Sequence, residues 1–174
     1  MFRKVNFRFV AIMAIFMGII LPINRDEILG RILAPFSKLT AQIVVILIHW
    51  SGQEAVRIAT LICHPDGFVY EISYGCTGFL PIAFLIVAIL SYSADLRTKA
   101  LGLAVGVLLL LVFNLMRLVH LFYLGIHKPA VFDLAHSILW HAFMILAVLG
   151  LWFGWTRCAF RRNEVQKVAQ SIKN

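Results

Sequence analysis

A chain of 174 residues that is 61% hydrophobic and 14% charged, with a mean hydropathy of +0.90, cannot present a hydrated globular surface. Soluble dehydrogenases, P-loop enzymes and nucleic-acid readers are excluded by that balance, and the net charge of +8 has to be read by its location along the chain. At 19.7 kDa there is room for one small integral membrane domain, residues 1–156, followed by a basic tail, residues 157–174.

A membrane span needs about 20 mostly apolar residues, and four stretches qualify: Phe7 to Ile23, Gly75 to Ala94, Ala100 to Gly125 and Leu134 to Trp155. The first follows Arg3, Lys4 and Arg8 and has no small-residue cleavage site after it, so it reads as a retained anchor with a cytoplasmic N-terminus. An even number of spans then puts both tails in the cytoplasm. That side carries Arg3, Lys4, Arg8, Arg97, Lys99 and the basic tail from Arg157 onward, against Asp95 and Glu164 alone. The outer loops are slightly acidic, and Arg117 is left within a span, which is the arrangement the positive-inside rule favours. The basic tails need no nucleic-acid partner; membrane lipids suffice.

Ile28 to Trp50 is interrupted by Arg31, Pro35 and Lys38, and its uninterrupted apolar part starts only at Leu39. It reads as a re-entrant or interfacial amphipathic helix on the outer side. Next come two runs rich in β-formers, Val56 to Cys63 and Phe68 to Ser73, around the turn sequence His64-Pro65-Asp66-Gly67. A β-hairpin with a four-residue loop would pair Cys63 with Phe68, Leu61 with Tyr70 and Ala59 with Ile72. The expected fold is thus an all-α polytopic membrane protein: about four transmembrane helices, the outer-side re-entrant or interfacial helix and a short β-hairpin.

Ionisable and reactive groups inside apolar runs are candidates for function. Cys76 lies in Tyr74-Gly75-Cys76-Thr77-Gly78, where the hairpin ends and a span begins. Pro81 is tolerated only in the first turn of a helix, which sets Cys76 at the helix N-terminus, where N–H groups and the dipole favour a thiolate. Other readings of Cys76 are a buried inert thiol or a disulfide with Cys63. Asn114 and Arg117 lie one turn apart; Arg117 is placed about 10 Å below the outer end of its helix by the helical rise, and it either serves a site or snorkels to the headgroups. Asn114 fits an interhelical hydrogen bond.

His136 begins the last span, at a depth comparable to that of Cys76, and His120 lies close to Arg117. His136 and His141 are roughly 140° apart around a helix and form no same-face metal pair, so neither a metal nor a cofactor is expected. Cys158 falls on the cytoplasmic side. A thiol, a guanidinium and an imidazole from three spans make the pattern of an intramembrane cysteine enzyme. Arginine is always charged and serves as a stabiliser of thiolate or oxyanion, not as a base.

On Cys76-Thr77-Gly78 after a β-like segment, Asn114-Leu115-Met116-Arg117 in the next span, and His136 at the start of the last, the chain resembles the exosortase and archaeosortase family of polytopic cysteine transpeptidases. Its short length is similar to that of the exosortase H type. The resemblance implies Cys76 as nucleophile, Arg117 as the family's arginine and His136 as general acid/base, with Thr77, Gly78, Asn114 and His120 in support. Many relatives carry Ser where this chain has Thr77. It further implies a bacterial inner membrane, a site facing the periplasm, and as partners exported proteins with a C-terminal sorting signal made of a motif, a hydrophobic helix and a basic tail. The motif in the H type is of the Pro-Thr-Leu and Trp-Gly kind. An acceptor amine, or water, would resolve the acyl-enzyme. The alternative is a non-enzymatic membrane assembly factor for surface polysaccharide or protein export. A proton path through Arg117, His120 and His141 ranks below both, because the inner halves of the spans are nearly devoid of polar residues.

Overall fold

The computed structural model describes residues 11, 12, 14, 15, 18 and 26–173, so the span expected over Phe7 to Ile23 lies largely outside the described residues. The rest is helical apart from one small sheet. Helix α1 covers Asp26–Trp50, strands β1 Val56–Ile58, β2 Leu61–Cys63 and β3 Val69–Glu71 follow, and a single 3₁₀ turn at Tyr74–Cys76 leads into α2, Phe79–Ser91. Helix α3 covers Leu96–His127, the short α4 Pro129–Leu134, and α5 Trp140–Lys173, with a π turn at Ala135–Leu139 joining the last two.

Three helical stretches are long and apolar enough to cross a membrane, Gly30–Trp50, Leu96–His127 and Pro129–Arg162. Their outer faces carry large apolar side chains such as Ile46, Leu108, Met116, Phe143 and Leu146, a surface suited to lipid rather than water.

The helix expected over Ile28 to Trp50 is present as α1, one 25-residue helix that runs through Pro35 and from Gly30 is long and apolar enough to cross a membrane. Proline removes a single N–H from the ladder, whereas Ser37, Thr40, Ala41, Val44 and Ile48 recur at helical spacing and are all buried. Ala41, Val44 and Ile48 pack in one cluster with Leu118 and Phe122 of α3 and Ile62 and Ile72 of the sheet. That contact supports the helix across the proline. Helices α1 and α3 run in the same direction, because the Tyr123 hydroxyl near the end of α3 donates to Ser51, just past the end of α1.

The second expected span is different: α2 has 13 residues, too few to cross alone, whereas about 20 are needed. Pro81 does sit in its first turn. Helix α2 packs back along α3 and α5 through Leu85, Ile89, Leu110 and Val148, and Leu85 fills the space that a side chain at Gly106 would need. Asp95 caps α3 by accepting from the Thr98 backbone N–H at 3.0 Å and from its hydroxyl at 2.6 Å. Helix α5 continues through Lys173.

The expected hairpin becomes a three-stranded antiparallel sheet in the order β1-β2-β3. The run Val56 to Cys63 is broken by a two-residue turn at Ala59-Thr60, where Ala59 takes a φ of +57° and its carbonyl accepts from Arg57 at 2.9 Å. Between β2 and β3 the register is shifted by one from the expected pairing: Leu61 faces Glu71, Ile62 faces Tyr70 and Cys63 faces Val69. Gly67 is the cause. It adopts a φ of +92°, which lets a three-residue loop close with the His64 N–H donating to the Phe68 carbonyl at 2.8 Å. A one-residue slip exchanges the faces, so Ile62 and Tyr70, rather than Leu61 and Tyr70, form the buried cross-strand pair.

Candidate active site

The 3₁₀ turn that carries Cys76 is built locally. The Cys76 N–H donates to the Ser73 carbonyl at 3.0 Å, and the Thr77 hydroxyl donates to the Tyr74 carbonyl at 2.6 Å while accepting from the Phe79 N–H at 3.4 Å. A serine hydroxyl at position 77 could make the same two bonds. Gly78 then turns the chain with a φ of +76° and becomes the N-cap of α2. Cys76 is thus held at the entrance of a helix, 4% exposed and with a free thiol. Cys63 is also a free thiol, so the two do not form a disulfide.

Three elements converge on that thiol. His136 Nε2 lies 3.6 Å from Cys76 Sγ, within reach of a sulfur hydrogen bond. Its ring stacks on Phe132 with an interplanar angle of 2° and a centroid separation of 5.8 Å. The π turn supplies its position, and such single-turn insertions recur at functional sites. His141 Nδ1 donates to the His136 carbonyl at 3.0 Å, tying down the same turn from within α5.

From α3, Asn114 Nδ2 donates to the Cys76 carbonyl at 2.9 Å. Arg117, one turn further along α3, is 3% exposed. The snorkelling reading is corrected: the guanidinium is enclosed in protein, and since α3 continues to His127, Arg117 lies about 15 Å short of its end at 1.5 Å per residue. Asn114 Oδ1 and Arg117 Nε are both buried with no hydrogen-bond partner. Each such group costs about 1–3 kcal/mol, which a packed site tolerates only when something else offsets it.

Residues that the sequence did not single out complete the surroundings. The Ser73 hydroxyl donates to Cys76 Sγ at 3.6 Å. Tyr70 donates from its hydroxyl to the Leu118 carbonyl at 3.1 Å, pinning β3 to α3 one residue past Arg117. Burial pushes the Tyr70 phenol well up, and the charge of Cys76 adds to the effect, so Tyr70 stays a neutral donor. Ser73 was legible as the residue one 3₁₀ turn before the cysteine, and Phe132 as the residue one helical turn before His136. Tyr70 was hidden by the register.

His120 is not brought to the thiol. It is exposed, and its Nδ1 accepts from the Trp140 indole N–H at 3.2 Å, with the two rings edge to face. Cys158 lies in α5 beside Arg162 and Gly154, in a groove on another part of the bundle.

A buried thiol on a 3₁₀ turn, opposed by an imidazole on a π turn, with an enclosed guanidinium on the neighbouring apolar helix, defines a polytopic membrane protein with a candidate cysteine-centred site. The family model described as transmembrane exosortase (Exosortase_EpsH) matches residues 4–154, and the chain belongs to that family. Neither the curated proteins nor the solved structures compared with the chain gave a match.

Proposed function

We propose that this chain is a cysteine transpeptidase or protease of the bacterial inner membrane, with its site facing the periplasm, that cleaves C-terminal sorting signals of exported proteins. The observation that carries the reading is the 3.6 Å approach of Cys76 Sγ to His136 Nε2 beside the enclosed Arg117. Family membership supports a role in processing sorting signals.

In this reading His136 takes the thiol proton as the sulfur of Cys76 attacks the scissile carbonyl. The carbonyl electrons move onto oxygen, and Arg117 stabilises the resulting oxyanion without exchanging a proton. The C–N bond then breaks, His136 protonates the departing amine, and the signal's helix leaves. A thioester on Cys76 remains. An acceptor amine, or water, attacks it as His136 receives the proton, the C–S bond breaks, and His136 returns that proton to the departing sulfur, which regenerates the thiol.

The test is to co-express the chain with an exported protein that ends in a motif, a hydrophobic helix and a basic tail. Cys76→Ala and Cys76→Ser should each abolish the shift to the processed form on a gel. Unchanged processing by Cys76→Ala would overturn the assignment.

A further inference from the structure

Asn114 is 1% exposed, and its one hydrogen bond runs from Nδ2 to the Cys76 carbonyl. A carbonyl accepts and cannot donate, so chemistry fixes the amide: nitrogen to Cys76, and Oδ1 left as an acceptor. Oδ1 has no partner, and neither has Arg117 Nε, a donor one turn along the same helix. A lone buried acceptor on the side chain that grips the Cys76 carbonyl, and a lone buried donor one turn along the same helix, match the two polar groups of a main-chain peptide segment, an N–H and a C=O. A lipid chain would leave both unpaired. An anion would satisfy the donor and be repelled by the acceptor.

We propose that Asn114 Oδ1 accepts a hydrogen bond from the backbone N–H of the substrate residue on the acyl side of the scissile bond. The proposal rests on the transpeptidase reading and gives that site a means of recognising main chain. Because Nδ2 grips the carbonyl of the nucleophile itself, Oδ1 keeps a fixed place relative to Cys76. The acyl portion is the part of the substrate that stays joined to the sulfur, so the same hydrogen bond serves both half-reactions. Asn114 aligns the acyl group whatever side chains the substrate carries.

The test uses the full chain in detergent and two probes: acetyl-prolyl-threonyl chloromethyl ketone, and the same compound with the threonyl N–H replaced by an ester oxygen. In each, the sulfur displaces chloride and forms a C–S bond, and mass spectrometry of the Cys76 peptide reads the rate. Wild type should alkylate about tenfold faster with the amide probe, the size of one lost hydrogen bond. Asn114→Leu should bring that ratio near one. A ratio near one in wild type overturns the proposal even if a variant fails to fold, and so does an unchanged ratio in Asn114→Leu. If neither probe modifies Cys76 while Cys158 reacts with a maleimide, the nucleophile assignment falls, and this proposal with it.

Discussion

A Cβ at residue 78 would stand 3.1 Å from Cγ of Asn114, so Gly78 and Asn114 fit together only because position 78 has no side chain. The same glycine sits at a φ of +76°, where other residues are strained by about 1–3 kcal/mol. Gly78→Ala should therefore destabilise the chain by that order and push Asn114 off the Cys76 carbonyl. Thermal unfolding in detergent and substrate processing should both decline, with processing falling further.

Arg117 gives a second prediction. Arg117→Leu removes the positive charge enclosed one turn along α3 from Asn114, and alkylation of Cys76 by iodoacetamide at neutral pH should slow at least about tenfold. Arg117→Lys should recover only part of the rate, because an ammonium lacks the planar fork of the guanidinium. Equal alkylation rates in all three proteins would count against electrostatic support of the thiolate.

His136 and Phe132 should separate by magnitude. Loss of the imidazole in His136→Ala should lower processing by about a hundredfold or more, the usual scale for a general acid/base. Phe132→Leu removes only the parallel ring that orients His136, and a fall of about tenfold is expected. A time course of signal cleavage distinguishes the two.

Acid should loosen the turn between α2 and α3. Hydrogen bonds from the Thr98 side chain and backbone hold the Asp95 carboxyl below the usual carboxylate range. A depressed folded value means stability that is present above the unfolded carboxylate value, about 3.9, and is lost as pH falls through the folded one. Hydrogen exchange at the start of α3 should rise on acidification below about pH 4. Asp95→Asn, which caps without titrating, should flatten that dependence.

The sheet offers a test of backbone strain. Ala59 holds a φ of +57°, a conformation in which a non-glycine residue costs about 1–2 kcal/mol, so Ala59→Gly should raise the melting temperature. Gly67→Ala, at +92°, should lower it.

Much of the site was legible in the sequence because membrane helices leave few polar residues to choose among. Cys76, Asn114, Arg117 and His136 stand out inside apolar runs, and Pro81 alone located the start of α2. Depth was not legible. Nothing in the composition of Ala100 to Gly125 says that α3 extends two residues past Gly125, to His127. The register of the sheet hung on one torsion at Gly67, which a four-residue turn signature does not specify. Arg31, Pro35 and Lys38 obscured the full apolar length of α1 in the sequence, while its buried face of small and β-branched residues is recognisable only once α3 and the sheet lie against it.

Helix α2 is about 20 Å long at 1.5 Å per residue, against roughly 30 Å of hydrocarbon in a bilayer. The carbonyl of Cys76 is level with Asn114, which lies about 20 Å below the end of α3 on the same scale. Sheet and turn lie against the last turns of α3, through Tyr70 on Leu118 and Phe68 on Gly125, and non-helical backbone beside a membrane-length helix is stable only where protein encloses it or water reaches it. On the proposed reading, a polypeptide that meets the sulfur has to reach as far along α3 as Asn114, so its length as an extended strand, and not its affinity alone, would limit which segments can be cut.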